Sequence, residues 1–176
     1  MDFDDLENMF PYMKHGRSKP KQCKSEQRIA VIVPFRDRLQ QLKIFLLNIL
    51  PFLHRQQVDF TIYIVEQSSG SRFNRGMMRN IGFLEANLET RYDCFIFHDV
   101  DVLPEDDRNR YLCGKMPRHL SGLMDRHNYT LLYTGLLGGI TAMTYNHFIK
   151  INGYSNQFFV WGGEDDELYR SCKGKI

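Results

Sequence analysis

The sequence predicts an α/β domain built around a mostly parallel sheet. Strand and helix patterns alternate over about 70 residues, between 29 and 97, in the order strand, helix, strand, helix, strand. The strand patterns are short, continuous apolar runs, which are typical of strands buried on both faces. Together these observations indicate a three-layer fold with right-handed crossover connections.

Each element is predicted from a local pattern. Residues 29–33 form a β-branched run that ends at Pro34. Apolar residues at helical spacing follow as far as Pro51, where we expect the helix to stop. The other predicted elements are strands at 60–65, 94–97, 131–133 and 140–143, and helices at 77–88, 145–151 and 164–170.

Residues 1–27 differ in composition from the rest of the chain. Acidic side chains crowd the first seven positions and basic side chains follow, with glycine and proline among them. We therefore expect a polar N-terminal leader with at most one short helix, near residues 6–9. The single catalytic or binding domain is expected over residues 28–176.

Charge and hydropathy give no support for a nucleic-acid partner or for a membrane-spanning helix. The 176 residues include 23 basic and 21 acidic side chains, and this near balance gives no reason to expect nucleic acid. The longest apolar runs, such as 29–33, are far shorter than the roughly 20 residues of a membrane helix.

Two carboxylates follow the most hydrophobic strand pattern. Asp99 and Asp101 are separated by one residue, so alternation along a strand predicts that both face the same side. The carboxyl edge of a parallel sheet is where such folds bind ligands, and hard oxygen ligands suit Mg²⁺ or Mn²⁺ beside a diphosphate. The alternative is a solvated acidic turn.

A second acidic motif, WGGEDDE, spans residues 161–167. Acids in the first turn of a helix are explained in part by capping and by the helix dipole. Four in succession after two glycines exceed that need. Trp161 beside carboxylates is an arrangement that holds a sugar, through stacking on its apolar face and hydrogen bonds to its hydroxyls.

Basic groups follow the first two strands. Arg36 and Arg38 come directly after the first strand, and Arg75 follows Phe73 beyond the second. Guanidinium groups at these positions are suited to phosphate, although a salt-bridged helix start is an equal alternative for 34–38.

Five motifs in order resemble the β-1,4-galactosyltransferase family over residues 23–176: PFRDR at 34–38, FNR at 73–75, DVD at 99–101, GG at 138–139 and WGGEDD at 161–166. The resemblance implies a GT-A fold and a type II Golgi membrane protein with a lumenal catalytic domain. It also implies Mn²⁺-dependent, inverting β-1,4 transfer of galactose or N-acetylgalactosamine. The donor would be a UDP-sugar and the acceptor terminal N-acetylglucosamine of glycoproteins or glycolipids.

The same resemblance assigns roles to single residues. Asp101 would ligate the metal, and Asp165 would act as general base. Uridine and phosphates would be held by Pro34, Phe35, Arg36, Arg38, Phe73 and Arg75, with Asp99 and Val100 beside the donor. Trp161, Gly162 and Gly163 would form a mobile loop, and Gly138, Gly139, Glu164 and Asp166 would line the substrate site with Asp165.

The family supplies two further metal ligands, a methionine and a histidine, beyond the acidic motif, whereas this chain ends at Ile176. We therefore expect a catalytic domain that is incomplete at its C-terminus, attached to a membrane only through an anchor absent from this chain. Two alternatives stay open. One is a catalytically inactive carbohydrate-binding or chaperone-like fragment, and the other is a galactosyltransferase directed to xylose.

The four cysteines do not have metal-site spacings, and the residues alone leave buried thiols and disulfides equally open. The resemblance implies a disulfide between Cys94 and Cys113 around the metal-binding turn, and an unpaired Cys23. Asn128 begins an N-glycosylation sequon, which favours a secretory compartment.

Leu136 bears on the choice of donor sugar. Galactose-transferring members of the family typically carry tyrosine there, and its ring and hydroxyl crowd the 2-position of the sugar. Because leucine is smaller, a 2-acetamido group is expected to fit, unless Leu136 is only a core residue of a strand. The resemblance thus predicts use of UDP-N-acetylgalactosamine at least as well as UDP-galactose.

Overall fold

The structure is a computed structural model that describes residues 3–160 and 162–176. Within these residues, six strands form one sheet with helices on both faces. The strands are β1 (Arg17–Ser18), β2 (Arg28–Phe35), β3 (Asp59–Glu66), β4 (Cys94–His98), β5 (Arg118–His119) and β6 (Ile140–Met143). The helices are α1 (Phe3–Met9), α2 (Leu39–Arg55), α3 (Arg75–Glu89), α4 (Tyr145–Ile151) and α5 (Glu164–Lys175).

The three central strands are parallel, as predicted. The order across the sheet is β1-β3-β2-β4-β6-β5, and β2 pairs in parallel with both β3 and β4. The outer pairings are antiparallel, which makes the whole sheet mixed. All three parallel strands therefore end at one edge, and their connections through α2 and α3 cross over the two faces.

The core lies on both faces of the sheet, which confirms the three-layer prediction. Side chains alternate along β2, so that Val31 packs in the cluster beneath α2 while Ile32 packs in the cluster beneath α3 and α4. Both are fully buried. A strand buried on both faces accounts for the continuous apolar run that predicted it.

A glycine brings α3 close to the sheet. A Cβ atom at Gly82 would lie 2.5 Å from Cγ2 of Ile32 and 2.8 Å from Cγ2 of Val65, which is closer than real contacts allow. The helix begins after Asn74, whose side chain accepts a hydrogen bond from the amide of Met77 at 2.8 Å. This cap sets where α3 starts, and hence where Arg75 lies.

Two predictions of secondary structure are wrong. The helix expected to stop at Pro51 continues to Arg55, since the buried side chains of Phe52 and Leu53 keep its last turn packed on the core. Residues 131–133 form no strand, and their apolar side chains are exposed rather than buried.

The N-terminal segment packs against the domain. Leu6 and Phe10 are buried in the cluster beneath α2, and β1 pairs with β3. None of the helices in residues 3–160 and 162–176 is long and apolar enough to cross a membrane.

Cys94 and Cys113 form a disulfide, which confirms the pairing implied by the family resemblance. Cys94 is the first residue of β4, and the bond returns the loop that follows Asp101 to the start of that strand. Cys23 is free and exposed.

The first prediction concerns this bond. Replacing Cys113 with serine should lower the free energy of unfolding by about 3 kcal/mol, because the bond closes a loop of nearly twenty residues in the unfolded chain. Urea denaturation measures the loss, and Cys23→Ser is the matched control that should leave stability unchanged. A non-reducing peptide map that found Cys94 free or linked elsewhere would contradict the assignment.

Candidate active site

Three polar segments meet at the edge where the parallel strands end. β4 ends at His98 and is followed by Asp99, while α3 begins at Arg75 and α5 begins at Glu164. The carboxyl edge of parallel strands is the ligand-binding edge of such sheets. The groups around Asp99 therefore form the candidate site.

His98 holds the backbone of Asp99 in place. The buried ring of His98 donates from Nδ1 to the carbonyl oxygen of Asp99 at 2.8 Å and accepts at Nε2 from the hydroxyl of Tyr111 at 2.9 Å. A carbonyl oxygen only accepts, so Nδ1 carries a proton. Burial lowers the pKa of His98 to about 4, so the ring is neutral near pH 7 and Nε2 is the acceptor.

Two arginines one helical turn apart bind the same two aspartates. Arg75 donates to Oδ2 of Asp99 at 2.6 Å and to Oδ2 of Asp165 at 2.8 Å. Arg79 donates to Oδ1 of Asp99 at 2.7 Å and to Oδ1 of Asp165 at 2.9 Å. Nε of Arg75 also donates to Glu164 at 2.5 Å. We call these five residues the arginine–carboxylate cluster.

The charges of the cluster are mutually dependent. Burial raises the pKa of the Asp99 carboxyl above its ordinary value, while Arg79 and Arg75 act in the opposite direction. Burial disfavours the charged form of Arg79, but the hydroxyl of Tyr154 and the two aspartates outweigh it and raise its pKa. Removing either arginine would leave buried carboxylates without their counter-charge.

The acids at the start of α5 do more than cap the helix. Glu164 and Asp165 turn towards the arginines, and Asp166 accepts a hydrogen bond from the hydroxyl of Tyr133 at 2.8 Å. Gly163 precedes them with a φ of 96°, and a Cβ atom there would lie 2.4 Å from the ring of Phe158. Gly162 also has positive φ, in open space.

The Gly138–Gly139 pair allows two side chains to approach the backbone. A Cβ atom at Gly138 would lie 2.9 Å from Oδ2 of Asp165, and one at Gly139 would lie 2.5 Å from Oγ of Ser121. The half-buried Leu136 lies beside the same point, since its Cδ1 would lie 3.5 Å from a Cβ atom at Gly138. Leu136 is thus next to the cluster rather than in a strand.

The two carboxylates of the DVD motif bind different partners. Asp99 belongs to the buried cluster, whereas Asp101 pairs with Arg38 at 2.7 Å and both of those side chains are half exposed. Strand geometry ends at His98, so side-chain alternation no longer governs Asp101. Asp101 instead borders a cavity of about 690 Å³ that His119 and Ser121 also line.

The structure brings together some of the expected donor residues. The guanidinium of Arg36 lies 5.1 Å from the ring centroid of Phe73 and donates to the backbone of Ser71. The side chains of Phe35 and Val100 are buried in the core. Pro34 is buried near the end of β2, where it pairs with Val65 of β3. Arg38 is bound to Asp101, and Arg75 is bound to three carboxylates.

Asn128 and Trp161 are the remaining expected functional residues. Asn128 is exposed at the end of a single 3₁₀ turn, with a positive φ of 50°. Its position at the surface is compatible with the predicted glycosylation. Trp161 lies outside the described residues.

Sequence reasoning missed Arg79 and His119. Arg79 occupies the buried face of α3 between apolar positions, where no motif marks it. The ring of His119 donates from Nε2 to the carbonyl oxygen of Gly138 at 2.7 Å, which positions the glycine pair beside Asp165. The signal for Arg79 was available as a charge at an i, i+4 spacing from Arg75 on a helix with a buried face.

Two family models match the chain. The model of the N-terminal region of glycosyl transferase group 7 matches residues 1–114, and the model of the N-terminal domain of galactosyltransferase matches residues 118–174. β-1,4-Galactosyltransferase 6 from Homo sapiens is 44% identical over 171 residues, which are 95% of this chain and 45% of that protein. β-1,4-Galactosyltransferase 4 from Homo sapiens is 47% identical over 158 residues, 90% of this chain and 46% of that protein.

Solved structures give the same result for the fold. The catalytic domain of Drosophila β-1,4-galactosyltransferase 7, in complex with xylobiose, superposes with a TM-score of 0.76 at 36% identity over 84% of this chain and 61% of that chain. A mutant of the same enzyme in complex with manganese, UDP-Gal and xylobiose gives a TM-score of 0.75 at 35% identity, with the same coverage. The GT-A expectation is confirmed. This chain spans less than half the length of the two human relatives.

The second prediction concerns His98. Its pKa is about 4 when folded and ordinarily about 6.5, so the unfolded chain binds more protons between these values. The contribution of His98 is therefore present above pH 6.5 and falls by about 3 kcal/mol as pH drops to 4. Urea denaturation at several pH values should show a shallower acid loss in His98→Gln. The exposed-residue control His15→Gln should keep the parent slope, and identical slopes in all three proteins would contradict the assignment.

Proposed function

The chain belongs to the β-1,4-galactosyltransferase family, glycosyl transferase group 7, and we propose that it carries the site of an inverting UDP-sugar-dependent transferase. The proposed reaction moves galactose or N-acetylgalactosamine in β-1,4 linkage to terminal N-acetylglucosamine. The arginine–carboxylate cluster is the single observation that carries this proposal. It joins Asp99, at the donor edge of the sheet, to Asp165, in the acid-rich turn, through two shared arginines.

Asp165 is proposed as the general base. It would take the proton of the acceptor hydroxyl as that oxygen forms a bond to the anomeric carbon of the donor. The bond from that carbon to the phosphate oxygen breaks on the opposite face, so the configuration inverts and UDP leaves with the bonding pair. In this arrangement both oxygens of Asp165 accept hydrogen bonds from arginine, so release of one of them would open it to the acceptor hydroxyl.

Arg36 and Phe73 are proposed to bind the donor. Their cation–π pair presents a flat ring and a charge beyond the ends of β2 and β3, and Arg38 follows Arg36 by two residues in the chain. A nucleotide base and a diphosphate suit those two features. Trp161 and the glycines after it are proposed to close over the bound donor and exclude water, which would otherwise hydrolyse it.

Asp101 suits Mn²⁺ as one ligand, because its half-exposed carboxylate borders the large cavity and is held by only one guanidinium. Asp99 does not suit it while both its oxygens accept from arginine. Among the described residues, no three histidine, cysteine, aspartate or glutamate side chains form a cluster able to hold a metal ion. When bound, Mn²⁺ supplies a Lewis acid for the charge on departing UDP.

The proposed compartment is the Golgi lumen. The Cys94–Cys113 disulfide supports a secretory location because it needs an oxidising environment. The exposed sequon at Asn128 supports the same location because glycosylation needs the enzymes of that compartment. Membrane attachment would come from a segment other than the described helices.

Xylose is the alternative acceptor. Two similar solved structures are of a Drosophila relative in complex with xylobiose, which supports this alternative. Their identities of 35% and 36% are lower than those of 44% and 47% to the two human relatives, so the xylobiose-bound enzyme is the more distant of these relatives. Assays with xylosides and N-acetylglucosaminides in parallel distinguish the two.

The third prediction tests the base. Asp165→Asn should reduce transfer by at least 100-fold while UDP affinity changes less than threefold, since the amide cannot take the proton. Radiolabelled sugar transfer and calorimetric UDP titration measure the two effects. Glu167→Gln removes a carboxylate from the same helical turn, where it pairs only with Arg170 among its described contacts, and should leave both unchanged. Near-normal turnover by Asp165→Asn removes Asp165 from the role.

The fourth prediction tests donor selection. The native protein should use UDP-N-acetylgalactosamine at least as well as UDP-galactose, and Leu136→Tyr should shift the ratio of their kcat/KM values about tenfold towards galactose. The tyrosine ring would crowd the 2-acetamido group beside Gly138. Leu132→Tyr, at an exposed position of the same segment, is the control and should not change the ratio. A strong native preference for UDP-galactose would rule out Leu136 as the determinant.

A further inference from the structure

Arg79 is the most deeply buried charged group of the candidate site. Its side chain is 1% exposed, on the face of α3 that also buries Met78 and Phe83. Its guanidinium lies 4.8 Å from the ring centroid of the buried Tyr154. An apolar residue would fill such a position by default, because a buried guanidinium is destabilising unless carboxylates offset its charge.

The pairing of Arg79 is divided between the two sides of the site. One terminal nitrogen donates to Asp99, which follows β4, and the other donates to Asp165, in the first turn of α5. A planar guanidinium fixes the directions of these two bonds relative to each other, which an ammonium group does not. Arg79 therefore sets the separation and orientation of the two carboxylates.

Arg75 makes the parallel pair of bonds but differs in exposure. Arg75 is the first residue of α3, and its side chain is 21% exposed, within reach of a ligand at the sheet edge. Arg79 lies one turn further along the helix and is shielded from that edge. Of the two arginines, only Arg75 is placed to exchange a carboxylate for a phosphate.

We propose that Arg79 is a positioning residue for the transfer reaction. It holds Oδ1 of Asp165 and Oδ1 of Asp99 throughout the cycle, while Arg75 turns to the donor phosphates and frees Oδ2 of Asp165 to accept the proton. This proposal rests on the proposed function. It adds a residue that none of the five family motifs contains and gives the two arginines different tasks.

Kinetics distinguish positioning from donor binding. Arg79→Met should lower kcat at least 30-fold while the KM for UDP-sugar and the affinity for UDP change less than threefold. Arg79→Lys retains the charge without the planar guanidinium that directs the two bonds, and should recover part of kcat. Arg28→Met removes a partly buried arginine from its pair with Asp59 at the opposite end of β2, and should leave kcat per folded molecule unchanged. An unchanged kcat in Arg79→Met, or an equal loss of donor affinity, overturns the proposal.

A thermal double-mutant cycle tests the bridge without activity. Arg79→Met and Asp165→Asn should each lower the unfolding midpoint, and the double variant should lose clearly less than the sum, because the two changes remove one shared interaction. If Arg79→Met does not fold, Arg79→Lys takes its place in the cycle. Additive losses overturn the inference. If the losses are non-additive but the protein transfers no sugar, Arg79 still bridges the two aspartates, and the proposed function is rejected instead.

Discussion

The site depends on the pairing of two arginines with three carboxylates in a place that excludes most water. The sheet brings Asp99 to its edge, and α3 brings Arg75 and Arg79 to face it. The first turn of α5 then supplies two carboxylates that pair with those arginines. Each group would be unfavourable alone in this environment, so the three elements stabilise one another in this arrangement. The geometry proposed for catalysis is thus also the geometry that pairs these buried charges.

The sheet was predictable where burial on both faces produces an unambiguous pattern. The runs at 29–33 and 94–97 have no polar residue to suggest any other structure, and both are strands. The two-residue strands β1 and β5 are too short to show a period, so they were not predicted. At Pro51 a local rule was outweighed by tertiary packing, because the side chains beyond it are buried.

The acidic and glycine motifs of the site were predictable, but its central contacts were not. Asp99 and Asp165 are separated by 66 positions in the chain, and only the fold brings them to the same guanidinium. Arg79 carries no motif, since a charge on an apolar helix face looks like an ordinary interruption of the pattern. Asp101 was predicted with Asp99 because strand alternation was extended three residues beyond the end of β4. Local sequence rules therefore identify reactive residues more readily than their partners.

The attachment of α5 has a thermodynamic consequence. The ionic contacts of α5 are confined to its first turn, whereas Leu168 and the partly buried Cys172 pack in the apolar cluster beneath α3 and α4. Undocking that first turn would expose little apolar surface, because residues 164–167 are all acidic, and the associated change in heat capacity would be small. The balance between the docked and undocked first turn would respond to ionic strength and to competing anions more than to temperature. An anionic nucleotide at the sheet edge is such a competitor, so the occupancy of the donor pocket and the freedom of the acceptor-side helix become linked quantities.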